Sequence, residues 1–314
     1  MDIRTPKLAI VSPCYNEELL IESTGEKLAE VLDILIKKGK ISSESFVYFV
    51  NDGSTDSTWT RICELNKKNS RIKGVLLSKN FGYQNAILTG LLKARENADC
   101  LITIDSDLQD DLSVIEKFID SYQEGYDIVY GVKASHRKDS LYKKYGNKLF
   151  YLMMRLMGSP IINNHAEFRF TSKRVIDALS EFGEVNLFLR GMFREIGFKT
   201  KQIEYPIKER AAGESKFTLK KLLSLALDGI TSFSIVPLRI IAFIGLGLLV
   251  VSVVLLTLII VGIVPARDLM WVFVVLLFIG GLNIGALGVV GEYIGKIYME
   301  TKSRPRYIID KELW

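Results

Sequence analysis

The sequence predicts an α/β domain with a mostly parallel sheet, followed by amphipathic helices and a hairpin of two membrane-spanning helices. Short apolar, β-branched segments alternate with segments of helical spacing over the first 130 residues, which is the pattern of successive βαβ units. Two segments without a charged residue follow later, at residues 240–264 and 269–291. Each is longer than the ~20 residues that cross a bilayer as a helix.

The elements of the first domain are predicted in regular succession. Strands are expected over residues 7–12, 46–50, 74–77, 101–104 and 127–130, and the helices that follow the first four strands end near residues 38, 66, 96 and 124. Parallel strands end at one edge of their sheet, where α/β proteins bind ligands. Polar side chains that follow the strand ends are expected to meet there, namely Tyr15, Asn16, Glu17, Asp52, Asn80, Asp105 and Asp107.

The fourth strand leads into an acidic segment, LITIDSDLQD. A buried strand that ends in Asp105, Asp107 and Asp110 gathers carboxylates at the sheet edge, which is costly unless a cation neutralises them. Such oxygen ligands suit a hard divalent ion, and Mg²⁺ or Mn²⁺ commonly bridges a protein to phosphate oxygens. A solvated turn that caps a helix is the alternative interpretation.

The composition excludes several other classes of protein. Hydrophobic residues make up 48% of the chain and charged residues 25%, which indicates a polar domain joined to an apolar one. Three cysteines and two histidines lack metal-ligand spacing, so we expect no zinc site and a reducing compartment. Basic residues are concentrated over residues 133–148 without a nucleic-acid motif, so no nucleic-acid partner is expected. The N-terminus has no signal-peptide core.

The charges around the two uncharged segments predict their orientation. The loop between them, PARD, has one arginine and one aspartate, whereas basic residues flank the pair on both outer sides. By the positive-inside rule, the first domain and both termini are cytoplasmic, in a multi-pass protein of the inner membrane. A buried hairpin of a soluble protein is the alternative. The flanking basic residues are Lys220, Lys221 and Arg239 before the pair and Lys296, Lys302, Arg304 and Arg306 after it.

Six motifs, in this order, carry a resemblance to a known family: PCYNEE, DGSTD, KNFGYQNA, DSDLQD, EFR and RAAGESK. Together with the apolar hairpin, they resemble the GT-A fold glycosyltransferases of family 2. Within that family the chain looks like the polyprenyl-phosphate glycosyltransferases, the group of bactoprenol glucosyltransferases and dolichol-phosphate mannose synthases. The resemblance extends over essentially the whole chain and implies a Rossmann-like GT-A catalytic domain.

The resemblance implies a division of the chain into four parts. Residues 1–216 are the expected cytoplasmic catalytic domain, and residues 217–236 are expected to form juxtamembrane amphipathic helices. The two transmembrane helices are expected within residues 237–292, and residues 293–314 form a cytoplasmic C-terminal tail.

On the donor side, the resemblance implies a nucleotide sugar held by a metal ion. Mg²⁺ or Mn²⁺ is expected on Asp105, Asp107 and Gln109, where it acts as a Lewis acid on the departing diphosphate, which makes Asp107 a catalytic residue. Asp105 also counts among the nucleotide-sugar ligands. The other expected ligands are Pro13, Tyr15, Glu17 and Asp52, with Arg210 and Lys216 on a loop that closes over the diphosphate.

On the acceptor side, the resemblance implies a lipid phosphate held by the basic stretch, at Lys133, Arg137, Lys144 and Asn147. The family usually has aspartate in an A-D-F-R motif, where this chain has AEFR. Glu167 is therefore expected to orient the acceptor or to act as a base, and Arg169 is its expected ion-pair partner. The alternative is that this pair only fixes a loop.

These assignments predict an enzyme that transfers a hexose, glucose or N-acetylglucosamine, from a UDP-sugar to polyprenyl (undecaprenyl) phosphate with inversion. GDP is the alternative nucleotide. Envelope glycan modification would need a downstream flippase and a second glycosyltransferase, and a homo-oligomer such as a tetramer is left open. A processive polysaccharide synthase is disfavoured because the chain has no QxxRW motif. A non-catalytic membrane scaffold is disfavoured because the expected metal ligands and Arg210 are present.

Overall fold

The computed structural model describes residues 5–133, 165–184, 189–206, 236–261 and 269–314. The chain divides into two compact units. The first unit comprises Met1–Gly146, Ile162–Lys216 and Pro305–Trp314, and the second comprises Asn147–Ile161 and Phe217–Arg304.

The first unit is built on one mixed sheet, in which the described residues form eight strands in the order β7-β5-β6-β4-β1-β2-β3-β8. The pairs β1–β2, β1–β4, β2–β3 and β5–β7 are parallel, and β4–β6, β5–β6 and β3–β8 are antiparallel. The predicted α/β fold with a mostly parallel sheet is therefore confirmed. The strands are β1 Leu8–Cys14, β2 Phe46–Asn51, β3 Ile72–Leu77, β4 Cys100–Thr103, β5 Ile128–Lys133, β6 His165–Ser172, β7 Thr200–Tyr205 and β8 Ile309–Leu313.

Helices connect the strands of the first unit and shield the sheet from solvent. Every residue of β1 and β2 is buried, as expected for central parallel strands with helices on both faces. Helix α1 directs Leu28, Leu32 and Leu35 into the core at helical spacing. The helices of this unit are α1 Ile21–Lys37, α2 Thr58–Lys68, α3 Tyr83–Ala94, α4 Val114–Gln123, α5 Lys173–Ser180 and α6 Leu189–Glu195.

Strand β6 lies between β4 and β5 and contains the AEFR motif. Its register pairs Thr103 of β4 with Arg169, in antiparallel orientation. Arg169 is buried like its neighbours Phe168 and Phe170, so the strand is covered on both faces. Because it runs antiparallel, its beginning lies at the edge of the sheet where the parallel strands end.

Strand β8 brings the C-terminal residues back to the sheet of the first unit. It pairs with β3 as an antiparallel edge strand, and the Tyr48 hydroxyl donates to Glu312 at 2.9 Å. The Trp314 ring lies 5.8 Å from the ring of Phe46 and 5.4 Å from that of Tyr48. The region expected to be a tail thus begins as a continuation of a helix, which ends at Thr301, and finishes as a strand.

The second unit contains two long helices, α7 Val236–Ile260 and α8 Leu269–Thr301. Within the described residues, one helical stretch, Phe278–Thr301, has the length and the apolar composition needed to cross a membrane, and none of its apolar window is buried. This stretch is compatible with membrane association. The hairpin of two spans remains a prediction.

Candidate active site

The ends of β1, β2 and β4 meet the beginning of β6 at one edge of the sheet. Asp52 follows β2, and Asp105 lies two residues beyond β4. Because Thr103 pairs with Arg169 in antiparallel register, two steps forward to Asp105 correspond to two steps back to Glu167. The register therefore places the predicted metal carboxylate and the predicted acceptor-side carboxylate at the same edge.

Asp105 is a half-buried carboxylate that accepts a hydrogen bond from the Tyr83 hydroxyl at the start of α3. The pKa of Asp105 is raised to about 6, chiefly because of burial; the carboxylates of Asp110, Asp107 and Glu167 also raise it, and the hydrogen bond from Tyr83 lowers it. A carboxylate in this environment is stabilised in its charged form by a bound cation.

Asp107 is exposed and interacts with its neighbour Gln109. The backbone N–H of Gln109 donates to Asp107 at 3.3 Å and its side-chain amide donates at 2.9 Å, across a turn in which Leu108 has a φ of 48°. In the described part of the chain, no three His, Cys, Asp or Glu side chains gather into a metal-binding group. Mg²⁺ typically takes only one or two carboxylates and completes its shell with water and substrate phosphates, so this donor set fits such an ion.

The third carboxylate of the acidic segment, Asp110, has a structural environment of its own. Its side chain is 2% exposed, accepts a hydrogen bond from the Tyr205 hydroxyl at the end of β7, and lies 3.2 Å from the Lys133 ammonium. Lys133, expected on the acceptor phosphate, thus pairs with a buried carboxylate. This ion pair connects the acidic loop to the end of β5, and the Tyr205 hydrogen bond connects it to the end of β7.

Glu167 forms ion pairs with two arginines. One carboxylate oxygen lies 2.8 Å from Arg169 and the other lies 2.6 Å from Arg190 on α6. The expected Glu167–Arg169 pair is therefore present, and Arg190 is a partner that the sequence did not indicate. The Thr103 hydroxyl also donates to the Glu167 backbone carbonyl, which fixes this residue to β4.

Asp52 fixes the loop that precedes α3. Its buried carboxylate accepts the backbone N–H groups of Phe81 at 2.7 Å and Gly82 at 3.0 Å. Burial raises the pKa of Asp52, and these two bonds act in the opposite direction. The Asp52 carboxylate therefore organises the turn that precedes Tyr83. A contact between Asp52 and the nucleotide remains a prediction.

The other expected nucleotide ligands lie at the end of β1. Pro13 is buried within the strand, and Tyr15 is 41% exposed just beyond it. The backbone N–H of Glu17 donates to the Thr58 hydroxyl at 2.9 Å, which fixes this loop to the start of α2. Further expected ligands lie outside the described residues, namely Arg137, Lys144, Asn147, Arg210 and Lys216.

Three residues of this edge were not singled out from the sequence: Tyr83, Arg190 and Tyr205. Tyr83 belongs to the KNFGYQNA motif and Tyr205 ends a strand, so both had a positional signal. Arg190 had none, because its helix follows β6 and its partner lies 23 residues earlier in the chain.

Gly53 allows the close approach of two loops at this edge. Its φ is +64°, and a Cβ atom there would lie 2.2 Å from the Lys79 carbonyl carbon. We expect Gly53→Ala to lower the free energy of unfolding by about 3 kcal/mol or more, because alanine disfavours this positive φ and its Cβ atom would clash with the Lys79 backbone. Gly39→Ala is the matched control, with a φ of +67° and nothing within 4 Å. If urea unfolding showed the same decrease in the free energy of unfolding for both variants, the predicted clash at Gly53 would be contradicted.

Comparisons with known proteins agree with this architecture. The sheet collects carboxylates and guanidinium groups where its parallel strands end, which is where α/β proteins bind their ligands. Residues 9–195 match Glycosyl transferase family 2. The chain belongs to this family and is a glycosyltransferase.

Two relatives extend over nearly the whole chain. The uncharacterized glycosyltransferase YkoT of Bacillus subtilis is 43% identical over 98% of this chain and 93% of its own length. The bactoprenol glucosyl transferase of Shigella phage SfX is 36% identical over 96% of this chain and 98% of its own length. Among solved structures, a glucosyl-3-phosphoglycerate synthase of Mycobacterium tuberculosis aligns with a TM-score of 0.48 and 17% identity, over 72% of this chain and 78% of that one. That similarity is too low to support a statement about function.

Proposed function

We propose that the protein transfers a hexose, glucose or N-acetylglucosamine, from a UDP-sugar to polyprenyl phosphate. The observation that carries the proposal is the placement of Asp105 and Glu167 at one sheet edge, by the register of β4 and β6. Such an edge has an acidic side for a metal-bound diphosphate and a guanidinium-bearing side for an anionic acceptor. The similarity to bactoprenol glucosyl transferases supports glucose as the sugar and a polyprenyl acceptor.

On the donor side, we assign Asp105, Asp107 and Gln109 to a Mg²⁺ or Mn²⁺ ion. When bound, such an ion supplies Lewis-acid stabilisation of the negative charge on a departing diphosphate. The protein's own contribution is to orient the carboxylates, since Tyr83 holds Asp105 and Gln109 holds Asp107. We assign the nucleotide and its diphosphate to Pro13, Tyr15, Glu17, Asp52, Arg210 and Lys216.

On the acceptor side, the nucleophile is a phosphate oxygen that is already largely ionised near neutral pH. It needs orientation and charge neutralisation more than removal of a proton. We assign these tasks to Lys133, Arg137, Lys144 and Asn147, with Glu167 and Arg169 beside the reacting carbon. Attack opposite to the leaving nucleotide inverts the anomeric configuration.

The C-terminal strand supports the predicted membrane topology. Strand β8 lies in the same sheet as the strands that precede α7, so the chain leaves this domain and later returns to it. A chain that does so crosses a membrane an even number of times. We therefore propose a multi-pass inner-membrane protein with two spans within residues 237–292 and amphipathic helices over residues 217–236. The catalytic domain, residues 1–216, and the C-terminal part, residues 293–314, are both cytoplasmic.

The product would be a lipid-linked sugar on the cytoplasmic face. Its use in envelope glycan modification requires a flippase and a second glycosyltransferase on the far side of the membrane. A homo-oligomer such as a tetramer is compatible with this role.

The proposal is tested by offering the purified protein a panel of nucleotide sugars together with polyprenyl phosphate and Mn²⁺. We expect one UDP-hexose to give a lipid-extractable product and the GDP-sugars to give none. If only a GDP-sugar is turned over, the nucleotide is GDP and not UDP. If none of the donors gives a lipid-linked product, the proposed function is contradicted.

A further inference from the structure

Both carboxylate oxygens of Glu167 form ion pairs. Arg169 occupies one and Arg190 the other, at 2.8 and 2.6 Å, and the side chain is 13% exposed. For Glu167 to accept a proton, the carboxylate would have to give up charge that two guanidinium cations stabilise. A role as general base is therefore disfavoured by its own partners.

Arg169 is the fixed member of this group. Its side chain is 2% exposed, and its guanidinium lies 4.1 Å from the centre of the Phe193 ring and 5.6 Å from that of Tyr130. Its Nε and Nη1 atoms are buried without a hydrogen-bond partner among the described residues. An arginine enclosed in this way has no freedom to follow a substrate, so its contribution is to hold Glu167.

Arg190 is the most exposed member of the group. Its side chain is 36% exposed, whereas Glu167 and Arg169 are largely covered. The helix that carries it is fixed to α3, because the Leu189 backbone N–H donates to the Gln84 side chain at 3.0 Å. Gln84 follows Tyr83, whose hydroxyl holds Asp105. Arg190 therefore contacts Glu167, and its helix is fixed next to the tyrosine that holds the proposed metal ligand Asp105.

We propose that Arg190 binds a phosphate oxygen of a substrate at the reacting centre and that Glu167 is the positioning residue that aims it. Two guanidinium groups share one carboxylate, so this group has a net positive charge next to the site of an anionic reaction. A guanidinium whose Nε is held by a carboxylate has its plane fixed, and the planar fork of a guanidinium matches the geometry of phosphate oxygens. This inference rests on the proposed function, which supplies the two phosphate sources, the donor diphosphate and the acceptor lipid.

The test compares Arg190→Gln with Arg190→Lys and with a charge-matched control. Two quantities are measured on the full chain: the dissociation constant of UDP in the presence of Mn²⁺, by calorimetry, and the KM for polyprenyl phosphate. We expect Arg190→Gln to raise one of them about 10- to 100-fold, which corresponds to about 1.4–2.7 kcal/mol, as expected for a lost charge-assisted phosphate contact. Arg190→Lys keeps the positive charge but lacks the paired N–H donors of a guanidinium, so it should have a smaller effect than Arg190→Gln.

The control is Lys173→Gln, because Lys173 is exposed and begins α5 at the opposite edge of the sheet. It should leave both quantities unchanged. A rise in the UDP dissociation constant assigns Arg190 to the donor diphosphate, and a rise in the acceptor KM assigns it to the lipid phosphate. If both quantities stay at their wild-type values in folded Arg190→Gln and Arg190→Lys, Arg190 binds no phosphate and the proposal is overturned.

The positioning role of Glu167 is tested in the same assays. Glu167→Gln should raise the same quantity as Arg190→Gln, and the double variant should be no worse than Arg190→Gln alone, since one contact is lost in all three. A Glu167→Gln variant that loses turnover with unchanged affinities would restore the general-base role and overturn the positioning role. Failure of the proposed function can be told apart from failure of this inference. In that case the wild-type protein would form no lipid-linked sugar, and the dissociation constants of UDP could still be compared between the wild-type protein and the variants.

Discussion

Asp107→Ala is expected to lower kcat/KM for sugar transfer about a thousandfold, which corresponds to ~4 kcal/mol of transition-state stabilisation. The fold should persist, because the Asp107 side chain is exposed and the hydrogen bonds described for it are with Gln109, two residues away. Asp105→Ala would be less informative, since that carboxylate is half-buried and holds Tyr83. The measurement is transfer of labelled sugar to polyprenyl phosphate over a Mn²⁺ titration, with the melting temperature recorded for each variant.

Asp177→Ala is the control for this change, because Asp177 is 53% exposed on α5 and lies away from the strand ends of the site. It should retain wild-type activity. Chelation should abolish transfer by the wild-type protein, and added Mn²⁺ should restore it only where Asp107 is present. An Asp107→Ala variant with full activity in the presence of a chelator would remove the metal from this account.

Deletion of residues 309–314 is expected to lower the free energy of unfolding of the catalytic domain by about 3 kcal/mol. The deletion removes an edge strand and uncovers the rings of Phe46 and Tyr48, against which Trp314 lies. Loss of a large, half-exposed aromatic side chain and a short strand accounts for an effect of this size. The corresponding fall in melting temperature is about 6–12 °C for a domain of this length.

The matched variants separate strand pairing from ring packing. Trp314→Ala should show part of the loss, and Lys311→Ala should show none, since Lys311 is exposed on the strand. A deletion variant with a wild-type melting temperature would mean that β8 does not stabilise the sheet. The support that this strand gives to an even number of membrane crossings would then be lost as well.

The parallel part of the fold was predictable from the sequence because its strands are short, mostly apolar runs. All residues of 8–14 and 46–51 are buried, so these strands can be recognised from their apolar residues without knowing which strands they pair with. Strand β6 was not predicted, because His165, Glu167 and Arg169 interrupt its apolar residues. Glu167 and Arg169 of this strand lie at the site, so residues that indicated function also interrupted the apolar run by which the other strands were predicted.

Long-range partners were the part of the site that the sequence could not supply. Asp52 was expected to contact a nucleotide, but its two backbone partners lie 29 and 30 residues away and follow from tertiary structure. Glu167 was expected to pair with Arg169, two residues away, and does so; its second partner, Arg190, comes from a helix docked onto α3. Sequence motifs identify the residue types of a site, whereas tertiary contacts determine which of them touch.

The most direct test of the central claim is mass spectrometry of the lipids after reaction. The purified full-length protein is placed in liposomes with undecaprenyl phosphate, UDP-glucose or UDP-N-acetylglucosamine, and Mn²⁺, with Asp107→Ala as the inactive reference. The account predicts that the wild-type protein adds one hexose or one N-acetylhexosamine to the lipid phosphate and that the variant adds none. A polysaccharide product, release of free sugar only, or an unchanged lipid despite metal-dependent UDP binding would contradict it.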